Sequence, residues 1–89
     1  MTIDPKATSF AIIQKGKLYS YFGLPVVIPK GYKWIAMDSD GEVYIYKAKP
    51  VMRFSYFNGS CDKVASVIKY KGSWKDSLIK VKNLPKLRT

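Results

Sequence analysis

Lys33-Trp34-Ile35-Ala36-Met37-Asp38-Ser39-Asp40-Gly41-Glu42-Val43-Tyr44-Ile45-Tyr46-Lys47 carries the clearest structural signal in the chain. Two runs with strand-like alternation flank Ser39-Asp40-Gly41. A three-residue loop of this kind suits a type I turn with glycine in the left-handed position. Pairing Asp38 with Glu42 sets Met37 opposite Val43, Ala36 opposite Tyr44, Ile35 opposite Ile45 and Trp34 opposite Tyr46. Side chains alternate across a strand, so Ile35, Met37, Val43 and Ile45 share one face, and Trp34, Ala36, Tyr44 and Tyr46 the other. The first face is an aliphatic core face. The second is aromatic and fits either a second core or a binding surface.

On either side of this hairpin, turn signals recur every 8–12 residues, the spacing of a small all-β domain. Residues 1–7 have little periodicity and read as a loose lead-in. Ser9–Gln14 and Leu18–Phe22 flank Lys15-Gly16, which predicts a first hairpin. Gly23-Leu24-Pro25 breaks that run, Val26–Ile28 is short, and Lys30-Gly31 is another turn. Beyond Pro50, Val51–Phe57 reads as a strand, followed by the turn dipeptide Asn58-Gly59. Over residues 60–70, Cys61, Val64, Ala65 and Ile68 fit a helical stripe, whereas Val64, Ser66, Ile68 and Tyr70 alternate. The β-branched residues and Tyr70 favour a strand. Ser73-Trp74-Lys75-Asp76 has capping-box spacing, which predicts a short helix from Trp74 to about Lys80. Residues 81–89 read as a basic tail. The expected fold is mainly β (or α+β): a single domain over residues 1–89, with a small antiparallel, curled or barrel-like sheet and one short C-terminal helix.

Charge narrows the function. The 89 residues carry 16 Lys and Arg against 6 Asp and Glu, a formal charge of +10. Only Arg53 and Arg88 are arginine. Lysine is a hydrated point charge, whereas bidentate reading of a base edge favours arginine. Attraction to an acidic partner without base-by-base reading follows, although such an excess also serves solubility alone. Hydrophobic residues make up 47% of the chain, which separates it from disordered basic segments.

Catalytic chemistry is poorly supplied. The chain has no histidine, the commonest general base and metal ligand. Cys61 is the only cysteine, so neither an internal disulfide nor a thiolate zinc site can form within one chain. An EF-hand beginning at Asp38 would need Gly and Glu where Val43 and Lys49 stand, so Asp38 and Asp40 read as turn residues. The glycines lack phosphate-loop spacing. No enzyme activity, no metal and no cofactor are expected. Without disulfides, a signal-like leader or a long apolar run, a soluble cytoplasmic setting is expected, with no membrane association.

Interleaved lysines and aromatics carry the functional content. Lys33, Trp34, Tyr44, Tyr46, Lys47 and Arg53 are the candidate binding residues on the sheet. Lys80, Lys82 and Lys86 are the candidates in the tail. Aromatics ringed by lysine can stack bases and track phosphates, or they can simply fill a second core.

The stretch Pro29-Lys30-Gly31-Tyr32-Lys33-Trp34-Ile35-Ala36-Met37-Asp38 through Tyr46, then Lys49-Pro50, resembles a pattern in short uncharacterised bacteriophage proteins. In these a Pro-x-Gly-Tyr-x-Trp-x-Ala-x-Asp-x-x-Gly-x-Val-Tyr hairpin precedes a Lys-Pro. Gly72-Ser73-Trp74-Lys75-Asp76-Ser77-Leu78 is similar to their closing segment. The resemblance implies a phage accessory protein acting in the cytoplasm of a host bacterium. By analogy it would bind and block a host protein or complex, such as a CRISPR defence system, through a basic surface. The alternative expectation is sequence-nonspecific nucleic-acid binding through the Lys and aromatic sheet face.

Overall fold

The central hairpin forms in the register its sequence dictates. The computed structural model, which describes residues 1–10 and 15–87, pairs Trp34 with Tyr46, Ile35 with Ile45, Ala36 with Tyr44 and Met37 with Val43. Gly41 has φ +87° and donates its N–H to the Asp38 carbonyl at 3.0 Å. A side chain there would be strained by φ, and its Cβ would meet the Val67 carbonyl oxygen at 1.9 Å.

In chain order the strands are β1 (Thr2–Ile3), β2 (Thr8–Phe10), β3 (Lys17–Tyr21), β4 (Leu24–Ile28), β5 (Trp34–Met37) and β6 (Glu42–Tyr46). They continue with β7 (Val51–Met52), β8 (Phe57–Asn58), β9 (Cys61–Val67), β10 (Tyr70–Lys71) and β11 (Ile79–Lys80). One antiparallel sheet has the order β11-β5-β6-β9-β2; β3–β4, β1–β10 and β7–β8 pair separately. Among the described residues no sheet closes on itself, so the fold is mainly β and antiparallel but not a barrel.

The expected first hairpin is replaced by another. Lys17–Tyr21 pairs with Leu24–Ile28 around Phe22-Gly23, both at positive φ, and Thr8–Phe10 instead joins the main sheet against β9. Ala11–Gln14, which the sequence placed in that hairpin, lie outside the described residues. Pro25 does not break β4. It sits opposite Ser20, whose N–H points outward to the Pro85 carbonyl at 2.8 Å. The proline's missing donor would likewise face away from β3, and an edge strand tolerates that loss.

Three further expectations are corrected. Val51–Phe57 is not one strand but a small hairpin, with the Arg53 N–H donating to the Tyr56 carbonyl at 2.8 Å. Asn58-Gly59 is not a hairpin turn: Asn58 ends β8, Gly59 and Ser60 bend into β9, and Gly59 has no positive φ. The capping box yields only one 3₁₀ turn, Trp74–Asp76, in which Ser73 Oγ accepts the Lys75 N–H at 3.3 Å. Ile79 then pairs with Ile35, and a helix running to Lys80 would forfeit that ladder; tertiary pairing overrides the local signal. The expected loose lead-in is ordered as well, and part of the expected basic tail is packed. Thr2–Ile3 pairs with β10, with Ile3 buried, and Val81 and Leu84 are buried.

Residues 61–67 are a strand, as the β-branched residues favour, but with one irregularity. Val43 faces Ala65 while Tyr44 faces Lys63, which leaves Val64 as an extra residue in β9. A bulge turns consecutive side chains toward the same side. Val64 and Ala65 are accordingly both buried, and Ile68 is 82% exposed.

The aliphatic hairpin face (Ile35, Met37, Val43, Ile45) forms the main core together with Tyr21, Leu24, Val26 and Ile28 of the β3–β4 hairpin. The opposite face carries a smaller cluster of Ala36, Tyr46 and Phe57, with Trp34, Tyr44, Trp74 and Leu78 packed against it. No helix among the described residues is long and apolar enough to cross a membrane.

Candidate binding groove

The C-terminal segment builds the site. The Val81 N–H donates to the Lys33 carbonyl at 2.9 Å, and the Lys33 N–H donates to the Tyr46 carbonyl at 2.8 Å. Val81–Asn83 makes a 3₁₀ turn, after which the chain crosses to the free edge of β3. There Lys86 bridges to Tyr19, and the Leu87 N–H donates to the Leu18 carbonyl at 2.9 Å. The expected basic tail therefore spans from the edge of the sheet to the β3–β4 hairpin.

A cavity of about 660 Å³ opens along this crossing, lined by Tyr19, Tyr32, Trp34 and Val81 with Lys33, Lys80, Lys82 and Lys86. A second, of about 570 Å³, shares Tyr19, Tyr32 and Val81 and adds Lys15, Lys17 and Lys30. No carboxylate lines either cavity among the described residues. A third, smaller space on the other side of Tyr32 holds Lys47, Lys49 and Asp62. All three border Tyr32, and this lysine-rich surface, which also carries the rings of Tyr19 and Trp34, is the candidate groove.

The rings are already in contact with ammonium groups. Lys80 Nζ and Lys49 Nζ lie 5.4 and 5.5 Å from the Trp34 ring centroid, and Lys47 Nζ lies 5.4 Å from that of Tyr32. Such cation–π contacts hold lysines over an electron-rich face at a cost low enough for an anion to reclaim them. The Tyr32 hydroxyl donates to the Asp62 carboxylate, and this bond raises the Tyr32 pKa.

Of the residues singled out from sequence, Lys33, Trp34, Lys80, Lys82 and Lys86 come together in the first cavity, and Lys47 lies in the adjoining one. Tyr46 is buried, with its hydroxyl donating to the Phe57 carbonyl at 3.4 Å, and desolvation raises its pKa. Tyr44 is half-buried against the second core, and Arg53 is exposed in the β7–β8 turn. Neither lines the groove. Tyr19, Tyr32, Lys15, Lys17 and Lys30 complete it. Tyr32 and Lys30 were legible as part of the Pro29–Tyr32 turn next to Trp34, but nothing local places Tyr19 beside them.

No protein family matches this chain, and comparisons with curated proteins and with solved structures return no match.

The acidic hairpin tip has structural work for each carboxylate. Asp38 Oδ1 accepts the Phe57 N–H at 2.8 Å, and Asp40 Oδ1 accepts the Glu42 N–H at 3.1 Å. Glu42 pairs with Lys63 at 2.5 Å and accepts from Ser66 Oγ at 2.6 Å. Burial, followed by the charges of Asp40 and Glu42, raises the Asp38 pKa despite the Phe57 hydrogen bond. The Lys63 and Ser66 bonds lower that of Glu42.

Proposed function

We propose that this chain is a non-catalytic binding protein that captures an acidic macromolecule in the lysine-walled groove. The observation that carries this reading is the convergence of four lysines on one cavity lined also by Tyr19, Tyr32 and Trp34, with no carboxylate among its described lining residues. Lysines held together in a cleft with low-dielectric walls focus a positive potential and draw in anions, as scattered surface lysines do not. The phage resemblance adds a setting, the cytoplasm of a host bacterium.

The test separates the groove from bulk charge. Lys33→Glu, Lys82→Glu and Lys86→Glu combined are compared with Lys6→Glu, Lys69→Glu and Lys75→Glu combined, which change the net charge equally at exposed sites outside it. Binding to labelled oligothymidylate and to polyglutamate is measured for both. The groove triple should lose at least about tenfold and the control triple far less, as fits a site in which local and not distant charge acts. Equal losses would reduce the effect to net charge.

One observation favours a second reading, in which a host protein is the partner. Phe54 is fully exposed at the tip of the β7–β8 hairpin, beside the half-exposed Val51, Met52 and Tyr56. The turn is braced by the Arg53–Tyr56 bond and by the Ser39 N–H donating to the Ser55 carbonyl at 2.9 Å. A braced, exposed aromatic is the form an interface anchor takes.

A further inference from the structure

We propose that the groove seats a single, unpaired nucleic-acid strand, its phosphates on the lysines and its bases against Tyr19, Tyr32 and Trp34. This rests on the binding reading above and names the partner class of the same site.

Shape comes first. The two larger spaces, about 660 and 570 Å³, are of the size that encloses a small-molecule-sized group, which for a nucleic acid is a nucleotide or two. They share Tyr19 and Tyr32 in their linings, and Tyr32 also borders the third space. A strand laid past Tyr32 would meet these spaces in succession. A duplex keeps its base faces stacked on one another, so it can offer phosphates to the lysines but no base to the rings.

The lining supplies both halves of single-strand recognition. Seven lysines border the two larger spaces, and Lys47 and Lys49 continue beyond Tyr32. Phosphates repeat along a strand at spacings such a row can follow. Three partly buried rings interrupt the row, and every base has a π-face to lay on one of them. An acidic peptide would satisfy the lysines, yet its carboxylate side chains gain nothing from ring faces. Among the described residues only lysines supply the positive charge that lines these spaces, and a lysine is a point charge without the bidentate fork that reads base edges, so the strand is held without sequence preference.

The resting cation–π contacts give the event an order. Lys80 and Lys49 lie against Trp34, and Lys47 against Tyr32. An arriving phosphate is the stronger partner for each ammonium and draws it off the ring. The face it uncovers is then free for a base. Phosphate capture thus precedes stacking, and Trp34 reports it.

The experiment uses the full chain with Trp74→Phe, so that Trp34 alone emits. Titrants are an oligothymidylate of about twelve nucleotides, the matching duplex and a polyglutamate of similar length. The expected result is quenching of Trp34 emission by oligothymidylate, with affinity at least about tenfold above the duplex. With about four phosphates engaged, affinity should fall about fifty-fold between about 50 and 200 mM salt, the single-strand slope being about −0.7 per phosphate. Lys33→Glu with Lys82→Glu, both exposed, should abolish the quench without unfolding the protein. Tighter binding of polyglutamate, or equal binding of duplex, would overturn the inference and leave the acidic-partner reading standing. Binding of none of the three would overturn both.

Discussion

Ser77 Oγ accepts the Met37 N–H at 2.9 Å and donates to the Met37 carbonyl at 3.0 Å, so one side chain satisfies both backbone groups of a buried strand residue. β11 pairs with β5 only at Ile35 and Trp34, and the serine hydroxyl completes the edge where the ladder stops. The Ser77 carbonyl in turn accepts the Tyr21 hydroxyl at 2.7 Å, inside a core that buries all three residues completely. This node ties the β3–β4 hairpin to the sheet and anchors the segment that leads into the groove wall.

Ser77→Ala should cost about 1–3 kcal/mol, because it leaves a buried donor and acceptor of Met37 unpaired. Tyr21→Phe removes only the donor to Ser77 and should cost about 1 kcal/mol. Urea unfolding checks both; the midpoint should fall with the slope unchanged, since neither alters the surface exposed on unfolding. A Ser77→Ala midpoint equal to the wild type would show that the node carries no stability.

Two left-handed glycines should respond differently to alanine. Gly31, at φ +101°, has open space where a Cβ would stand, so Gly31→Ala should cost only the backbone strain of about 1–2 kcal/mol. Gly41→Ala adds a collision with the Val67 backbone and should cost clearly more, shown by a larger loss of thermal stability. Equal losses at the two sites would mean that β6 and β9 can separate at the tip without penalty.

The hairpin tip should show opposite pH behaviour at two carboxylates. The Glu42 pKa is lowered, first by Lys63 and then by Ser66, so its contribution is present above the usual glutamate pKa of 4.5 and fades as pH falls through the depressed value. Glu42→Gln should be less stable than the wild type at neutral pH by under about 1 kcal/mol, given solvent screening, with the gap closing in acid. The Asp38 pKa is raised, chiefly by burial, so its contribution is full below the usual aspartate pKa and lost as pH rises through the raised value. Asp38→Asn should therefore be at least as stable as the wild type at neutral pH. Stability curves of the two variants between acid and neutral pH check both signs.

How much of this was legible follows from locality. The register from Trp34 to Tyr46 was readable because its turn chemistry and both faces lie within one short stretch. Phe22-Gly23 was not, since Phe22 adopts φ +50° with no local cue and Gly16 is set by close approach to the Ile28 backbone. The bulge at Val64 hid the burial pattern by turning two neighbours inward. Lys33, Trp34, Lys80, Lys82 and Lys86 were readable as candidates from composition, but their convergence depends on pairings that span half the chain. Tyr46 was drawn to the surface by its sequence company, yet Phe57 covers it from a hairpin that reads as a single strand.

Phe54 gives a prediction independent of the groove. Phe54→Ser removes a fully exposed side chain, so stability should stay within about 0.5 kcal/mol of the wild type. Oligothymidylate affinity should also be unchanged. A partner protein cross-linked through a photoreactive residue at position 54 should bind Phe54→Ser at least about tenfold more weakly, as expected for an interface anchor. Loss of stability on this substitution would mark Phe54 as packed, and the second reading would fall.

The groove itself is best probed by mapping backbone amide shifts as polyanion is titrated into the isotopically labelled protein. The largest changes should fall on Tyr19, Tyr32, Lys33, Trp34, Lys82 and Lys86, which border one cavity although the sequence scatters them from β3 to the C-terminal segment. Changes centred instead on the β7–β8 hairpin, or spread evenly over exposed lysines such as Lys6, Lys69 and Lys75, would rule the groove out as the binding site.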